Sequence, residues 1–222
     1  MIKHVTLFEN REDAGRLLGQ SLKQNYAPAD GIVFALPRGG VAVGFHAACE
    51  LNFPLDVVIP KKIGAPSNPE FALGAVMEDG TVFINPSGSK NQISQEHFKA
   101  EAEKKITEIK LKMILYRGEK PFPDIKGKAV FIVDDGIATG STVFAALHYF
   151  KKRRAGKIVV SVPVGPADTI KRLQREADDV VCLHVPHDFF AVGQFYADFH
   201  QITDDEVIHY LHLKDAMMRE KS

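Results

Sequence analysis

Little in this sequence points outward. Of its 222 residues only two are cysteine, Cys49 and Cys182. They form no C-x-x-C pair, which excludes a zinc ribbon or a redox dithiol, and both lie in apolar segments as core thiols of a reducing compartment would. Charge has no bias either: 28 basic residues meet 28 acidic ones, for a formal net charge of zero. That balance argues against a dedicated nucleic-acid binder. No apolar run is long enough to span a bilayer, and the opening Met1-Ile-Lys-His-Val has no signal-peptide core. The expectation is a soluble, cytoplasmic protein that engages neither nucleic acid nor membrane. Internal repeats and low-complexity linkers are missing too. The length suits a single α/β domain, 1–222, with additions.

What is present is an alternation of strand and helix signals. Asn10 can cap a helix from Arg11 to about Asn25. Ile32–Leu36 is a short apolar run that reads as a buried strand, broken by Pro37-Arg38-Gly39-Gly40 before a helix over Val41–Leu51. Leu55–Ile59 is a second strand, ending at Lys61-Lys62. Glu78-Asp79-Gly80 sits between Phe71–Val76 and Thr81–Ile84 as a hairpin signal. A charged helix spans Ser94–Arg117, with Phe98, Ala102, Ile106, Ile109 and Met113 on one face. Lys128–Val133 is a strand followed by a helix over Thr142–Arg154, and Ala155-Gly156 ends that helix. A strand at Lys157–Val164, a helix capped by Asp168, a strand at Val180–Val185 and a capping box at Thr203-Asp-Asp-Glu206 complete the order. Such alternation predicts a doubly wound, mostly parallel sheet. Its ligand sits beyond the carboxyl ends of the strands.

One segment carries more chemistry than the rest: Val130-Phe-Ile-Val133-Asp134-Asp135-Gly136-Ile-Ala138-Thr139-Gly140-Ser141-Thr142. A β-branched apolar run ends in two carboxylates, and a loop of small residues leads into a helix. Adjacent acids at the end of a buried strand carry a desolvation cost unless something binds them. They can accept hydrogen bonds from vicinal hydroxyls, and the loop can hold a phosphate at the helix N-terminus. The Lys-Ser/Thr ending of a P-loop is missing, and no G-x-G-x-x-G fingerprint follows a strand.

Across its whole length this segment resembles the phosphoribosyl-pyrophosphate (PRPP) signature of the type I phosphoribosyltransferases. The resemblance implies that Asp134 and Asp135 orient the ribose through its 2- and 3-hydroxyls, and that Ala138, Thr139, Gly140, Ser141 and Thr142 grip the 5-phosphate. It implies Mg2+ bridging the pyrophosphate and ribose hydroxyls, touched by Asp134 and Asp135 only indirectly. Leu36-Pro37-Arg38-Gly39-Gly40 is similar to the family's pyrophosphate loop, which in relatives holds a non-prolyl cis peptide, here expected near Arg38-Gly39. Arg38, Gly39, Gly40, Lys61 and Lys62 would then bind the diphosphate, with Arg38 and Lys62 joining the acids as catalytic groups. The alternatives are a surface arginine and a solvated lysine pair. Ile63–Gly74, rich in turn formers, occupies the place of the family's mobile catalytic loop, with Asn68 and Glu70 upon it.

The acceptor side is less familiar. Pro186–His200 would form the hood, with His187, Asp188, Phe189, Phe190, Phe195 and Tyr196 facing a planar base; the competing reading is a hydrophobic plug over the sheet edge. Hypoxanthine-type relatives place an aspartate where Ala138 stands, so the proton carrier must come from elsewhere, and Glu70 is the candidate. Nearly the full chain resembles a less characterised group of predicted phosphoribosyltransferases, which implies PRPP and a small nitrogenous acceptor as partners and a homodimer as the assembly. A PRPP- or nucleotide-binding regulator without turnover is the second reading, and an amine-accepting transferase the third. Lys151-Lys-Arg-Arg154 reads as a solvated complement to its helix dipole. Arg117 is expected in solvent. His209 and His212, one turn apart, lack a third metal ligand.

Overall fold

A computed structural model describes residues 6–26, 30–65, 68–85 and 95–220, without the side chains of 68–72, 95 and 97. The chain runs α1 (Arg11–Tyr26), β1 (Gly31–Ala35), α2 (Gly39–Leu51), β2 (Leu55–Val57), β3 (Lys61–Ala65), β4 (Asn68–Val76), β5 (Val82–Ile84) and α3 (Gln95–Arg117). It continues with β6 (Ala129–Val133), α4 (Ser141–Lys152), β7 (Lys157–Val164), α5 (Ala167–Leu173), β8 (Asp179–His184), a short 3-10 turn (Val192–Phe195) and α6 (Asp204–Arg219). Five strands form a parallel sheet in the order β2-β1-β6-β7-β8. The apolar runs are buried on both faces because helices cover both. Val33, Ala35, Phe131, Val133 and Val159 face a core shared with α1, α2, α3 and α6. Their neighbours Ile32, Phe34, Val130, Ile132, Ile158 and Val160 face α4 and α5.

From β1 the chain winds outward to β2, and from β6 it winds the other way to β7 and β8. The order therefore reverses between β1 and β6, the crevice where doubly wound sheets bind ligands. The register Ala35↔Val133 sets the loop after β1 directly beside the loop after β6.

The described residues of the stretch expected as a mobile loop or hairpin, Ile63–Gly74, lie in the paired strands β3 and β4. β3, β4 and β5 form a separate three-stranded antiparallel sheet. Its turn formers serve close pairing: a Cβ on Gly74 would stand 2.2 Å from the Phe83 carbonyl oxygen. Ile63, Ala65, Leu73 and Ala75 of its strands are buried. Lys61 and Lys62 accordingly begin β3 rather than end β2, which stops at Val57. The far end of this sheet is tied to α4. Tyr149 donates to Glu78 at 2.6 Å, Lys152 pairs with Asp79 at 2.9 Å and Arg153 approaches Glu78 at 3.6 Å. The basic run is exposed, as its sequence suggests, and two of its members also pair with the Glu78-Asp79-Gly80 turn. Asp168 also departs from expectation, lying inside the first turn of α5 while Pro166 holds the cap position. Asn10 and Thr203 cap α1 and α6 as their sequences indicate.

Candidate functional site

At the switch point β6 runs out at Val133, and Asp134 and Asp135 follow, both partly buried. Gly39 and Gly40, which open α2, pack against them so closely that side chains are excluded. A Cβ on Gly39 would fall 1.9 Å from Asp135 Oδ2, and one on Gly40 would fall 2.9 Å from the Asp134 Cα. The peptide bond before Arg38, Pro37–Arg38, is cis, one position earlier than expected.

Past the acids, the chain crosses Gly136–Gly140 and enters α4. Gly140 holds φ 77° and offers α4 no side-chain cap; that left-handed backbone favours glycine. The first-turn amides are therefore left without a side-chain acceptor, the arrangement that suits an external anion. Thr169 fixes the loop by donating to the Ala138 carbonyl at 2.8 Å. A cavity of about 220 Å3 opens here, lined by Asp134, Asp135, Ala138, Thr139, Gly140, Thr142, Val192 and Lys62. Ser141 is buried, its hydroxyl 3.4 Å from that of Thr139.

Electrostatics make this cavity unusual. Burial pushes the Asp134 carboxyl well above the ordinary carboxylate range, the charge of Asp135 pushes it further, and Lys62 pulls it back. Burial also raises Asp135, against the opposing pull of Arg11. Arg11 escaped the sequence reading because its contact lies 124 residues away along the chain. Its Nε donates to Asp135 Oδ2 at 2.8 Å and its Nη1 to the His200 carbonyl at 2.7 Å. Its guanidinium lies 3.8 Å over the Phe199 ring.

The two lysines divide. Neighbours in a strand point to opposite faces, and Lys62 lines the acid cavity while Lys61 pairs with Glu108 on α3 at 3.3 Å. Arg38 goes with Lys61. Both line a second cavity of about 370 Å3, together with Pro60, Lys112, Tyr116 and Asp204. There Asp204 accepts from Lys112 and, at 2.6 Å, from the Tyr116 hydroxyl, with Arg38 at 3.9 Å. Those donors hold the Asp204 carboxyl below its usual range. The structure thus brings Gly39, Gly40, Lys62, both acids and the small-residue loop together, and sets Arg38 and Lys61 in an adjoining space.

The expected hood also divides. Phe195 and Tyr196 are buried, as a plug would be. Phe195 packs on Phe189, and Tyr196 packs on Phe8 while donating to the Asp135 carbonyl at 2.6 Å. His187, Asp188 and Phe190 are exposed. Val192, which the sequence reading did not single out, reaches the acid cavity. The side chains of Asn68 and Glu70 lie outside the described residues. Arg117 is not in solvent: it forms a buried two-point pair with Asp56, at 2.8 and 2.9 Å. Among the described residues no group of three or more His, Cys, Asp or Glu side chains is placed to hold a metal ion, His209 and His212 included. Nor is any helix among them long and apolar enough to cross a membrane.

Comparison with known proteins gives three findings. Residues 6–200 match the model of the phosphoribosyl transferase domain. A Mycobacterium tuberculosis protein carrying the name "Putative phosphoribosyl transferase" is 42% identical over 208 residues, covering 93% of this chain and 47% of its own length. The chain therefore spans about half the length of the curated relatives it matches. The crystal structure of TT1426 from Thermus thermophilus superposes with a TM-score of 0.79 at 40% identity, covering 93% of this chain and 98% of that one.

Proposed function

The chain belongs to the phosphoribosyl transferase domain family, and from that premise we propose that it is a magnesium-dependent phosphoribosyltransferase. It would displace pyrophosphate from PRPP with a nitrogenous, base-like acceptor. The observation that carries this reading is the cavity at the β1/β6 switch point, where two carboxylates, a lysine and an uncapped helix N-terminus face one space. The 5-phosphate would lie among Ala138–Thr142, on amides that the helix dipole favours for an anion. The ribose would then meet the acids. The anomeric carbon–oxygen bond breaks, pyrophosphate leaves with the electron pair, and a bond from the acceptor nitrogen to that carbon forms. Carboxylate charge beside the sugar favours the cationic transition state. Lys62 would meet the departing diphosphate, whose nearer phosphate would lie along Gly39 and Gly40.

Two carboxylates and no all-protein cage fit magnesium, which is usually held by one or two carboxylates, waters and substrate phosphates. Bound to the diphosphate, it would neutralise charge on the leaving group. The ring-facing acid of hypoxanthine-type relatives is missing at Ala138, so the proton shed by the acceptor needs another carrier, and Glu70 is our candidate. We read residues 1–222 as one transferase unit with 186–200 as its hood.

Arg38 and Lys61, occupied by Asp204 and Glu108, favour a second reading, a PRPP-binding regulator without turnover. One experiment separates the two. The protein is incubated with PRPP and Mg2+ and a panel of bases and amines, and pyrophosphate release is followed. Release that depends on one acceptor and vanishes in Asp134→Asn supports the transferase. Tight PRPP binding with no release for any acceptor supports the regulator, and no PRPP binding sinks both.

A further inference from the structure

The two sheets end in four edge strands, β2 and β8 in the parallel one and β3 and β5 in the antiparallel one. An unguarded edge offers a row of unpaired backbone groups to any passing strand, so proteins shorten their edges, charge them, bulge them or cover them. Three of the four follow that rule. β2 has three residues, Leu55, Asp56 and Val57, all at 4% exposure or less. β5 also has three. β3 begins with Lys61 and Lys62 and carries register shifts on either side of Gly64. β8 has none of these devices. It runs six residues, Asp179–His184, pairs with β7 on one side only, and contains no lysine, arginine or proline. Its centre is Val180-Val181-Cys182-Leu183, yet every residue along it is at least partly exposed.

The overhang above this edge is apolar too. α1 lies along β8: Tyr26 at its end donates to Asp179, and Ala14 near its start belongs to the cluster against which Leu183 packs. Gly15 and Gly19 turn toward Val43, Ala47 and Glu50 of α2, so Leu17 lies on the opposite side of α1. Leu17 is 42% exposed, and Val185, just past β8, is 44% exposed.

We propose that β8 is a dimer edge: it pairs antiparallel with β8 of a second copy across a two-fold axis, joining the two parallel sheets into one. A two-fold interface must be complementary to itself, and this edge is. About Cys182, Val181 of one copy meets Leu183 of the other, and Asp179 comes opposite Val185 with His187 on the diagonal. The exposed acidic start, Asp178-Asp179, is thereby set against His184 and His187 of the second copy. An in-register parallel pairing would set aspartate beside aspartate. The axis stands perpendicular to the sheet, so both α1 helices lie on one face and the two Leu17 side chains approach each other over the seam. α3 presents an apolar patch as well, at Leu111, Ile114 and Leu115, but a helix satisfies its own backbone, and that patch serves as the control.

Sedimentation velocity on the full chain reads the assembly, and hydrogen exchange locates it. Wild type is expected to be monomeric at about 1 µM and dimeric at about 100 µM, because assembly follows protomer concentration. Amides within 179–185 should exchange roughly tenfold more slowly in the dimer. Leu17→Glu places like charges together at the seam and should weaken the dimer roughly 100-fold. Val185→Lys puts a guard on the edge and should weaken it roughly tenfold. Leu111→Glu should change neither readout. A wild type that stays monomeric at the higher concentration overturns the proposal and leaves the edge to a strand of another protein. A dimer whose protection falls on α3 and that dissociates in Leu111→Glu overturns it, as does a dimer that Leu17→Glu and Val185→Lys leave intact. Should either edge variant not fold, the wild-type exchange pattern at the two concentrations decides alone.

Discussion

Two strands of one sheet end near carboxylates, and the protein treats them in opposite ways. Asp56 on β2 is buried and met by Arg117 at two points, with Arg117 also donating to the Pro121 carbonyl and stacking over Phe122. Its acceptor oxygens are spoken for. Asp134 and Asp135 after β6 share one bonded guanidinium between two carboxyl groups, and both border a cavity. A buried acid with a complete shell is a piece of architecture. A partly buried acid pair left one partner short, beside helix amides with no side-chain cap, has electrostatic demand that the protein's own side chains do not meet. Charge counts alone would not separate the two; the completeness of the shell does.

The largest effect should come from breaking the closed pair. Arg117→Ala strands a buried carboxylate, and removal of one partner from such a pair costs about 3–5 kcal/mol. Urea denaturation should show that loss, while the folded fraction still binds PRPP within about twofold of wild type. Replacing both residues with apolar ones, Asp56→Leu with Arg117→Met, should recover most of the stability, because paired burial adds little over well-packed carbon. A large loss of PRPP affinity in folded Arg117→Ala would show that this pair belongs to the site after all.

Asp134→Asn should act in the opposite sense. Loss of a charged acceptor in a preorganised site costs on the order of 100- to 1000-fold in function. Stability should hold or rise by on the order of 1 kcal/mol. The sign follows from the raised carboxyl. The fold disfavours its ionised form, so the native state loses stability as pH climbs from the ordinary carboxylate range toward the raised folded value. Asn removes that cost. A variant that loses both stability and binding would contradict an acid held ready for ligand.

The same contrast explains what could be read in advance. The parallel sheet was legible because two-sided burial makes its strands continuous apolar runs, as in Ala129–Val133. The acid pair and loop were legible because their chemistry is contiguous in sequence. What stayed hidden depends on distant partners. Nothing near Arg11 announces Asp135, and nothing near Asp204 announces Lys112, Tyr116 and Arg38. Ile63–Gly74 read as loop because glycine and proline signal turns locally, while here Gly74 lets two strands approach. Lys61 and Lys62 are both expected on the diphosphate, with Lys62 alone as a catalytic group, and strand alternation sends them to different faces.

That alternation can be sharpened by single substitutions. Lys62→Ala removes the cation facing the acids and the expected diphosphate. A charge-assisted contact contributes about 1.5–3 kcal/mol, so PRPP affinity should fall roughly 10- to 150-fold. Lys61→Ala breaks only a partly exposed pair with Glu108, worth about 0–1 kcal/mol. PRPP affinity should then change by about threefold or less. Equal losses from both would mean that the second cavity, not the switch-point cavity alone, receives the diphosphate.

The smallest effect tests the hood, where the open-versus-closed distinction recurs among aromatics. Phe195 is 3% exposed and packs on Phe189 and His184, whereas Phe190 is 77% exposed. Phe190 buries too little to hold the fold together, so Phe190→Ala should leave stability within about 0.5 kcal/mol of wild type. PRPP affinity should not move, because the acid cavity is lined on the hood side by Val192 and not by Phe190. If the exposed ring meets a planar acceptor, the substitution raises KM for that acceptor by a few-fold, about what one solvent-edged stacking contact contributes. PRPP saturation curves at fixed acceptor, set beside acceptor curves at fixed PRPP, distinguish the two sites directly. An unchanged acceptor KM would confine base recognition to residues nearer Val192 and leave Phe190 a surface ring, because an uncovered side chain that no ligand covers contributes to neither stability nor turnover.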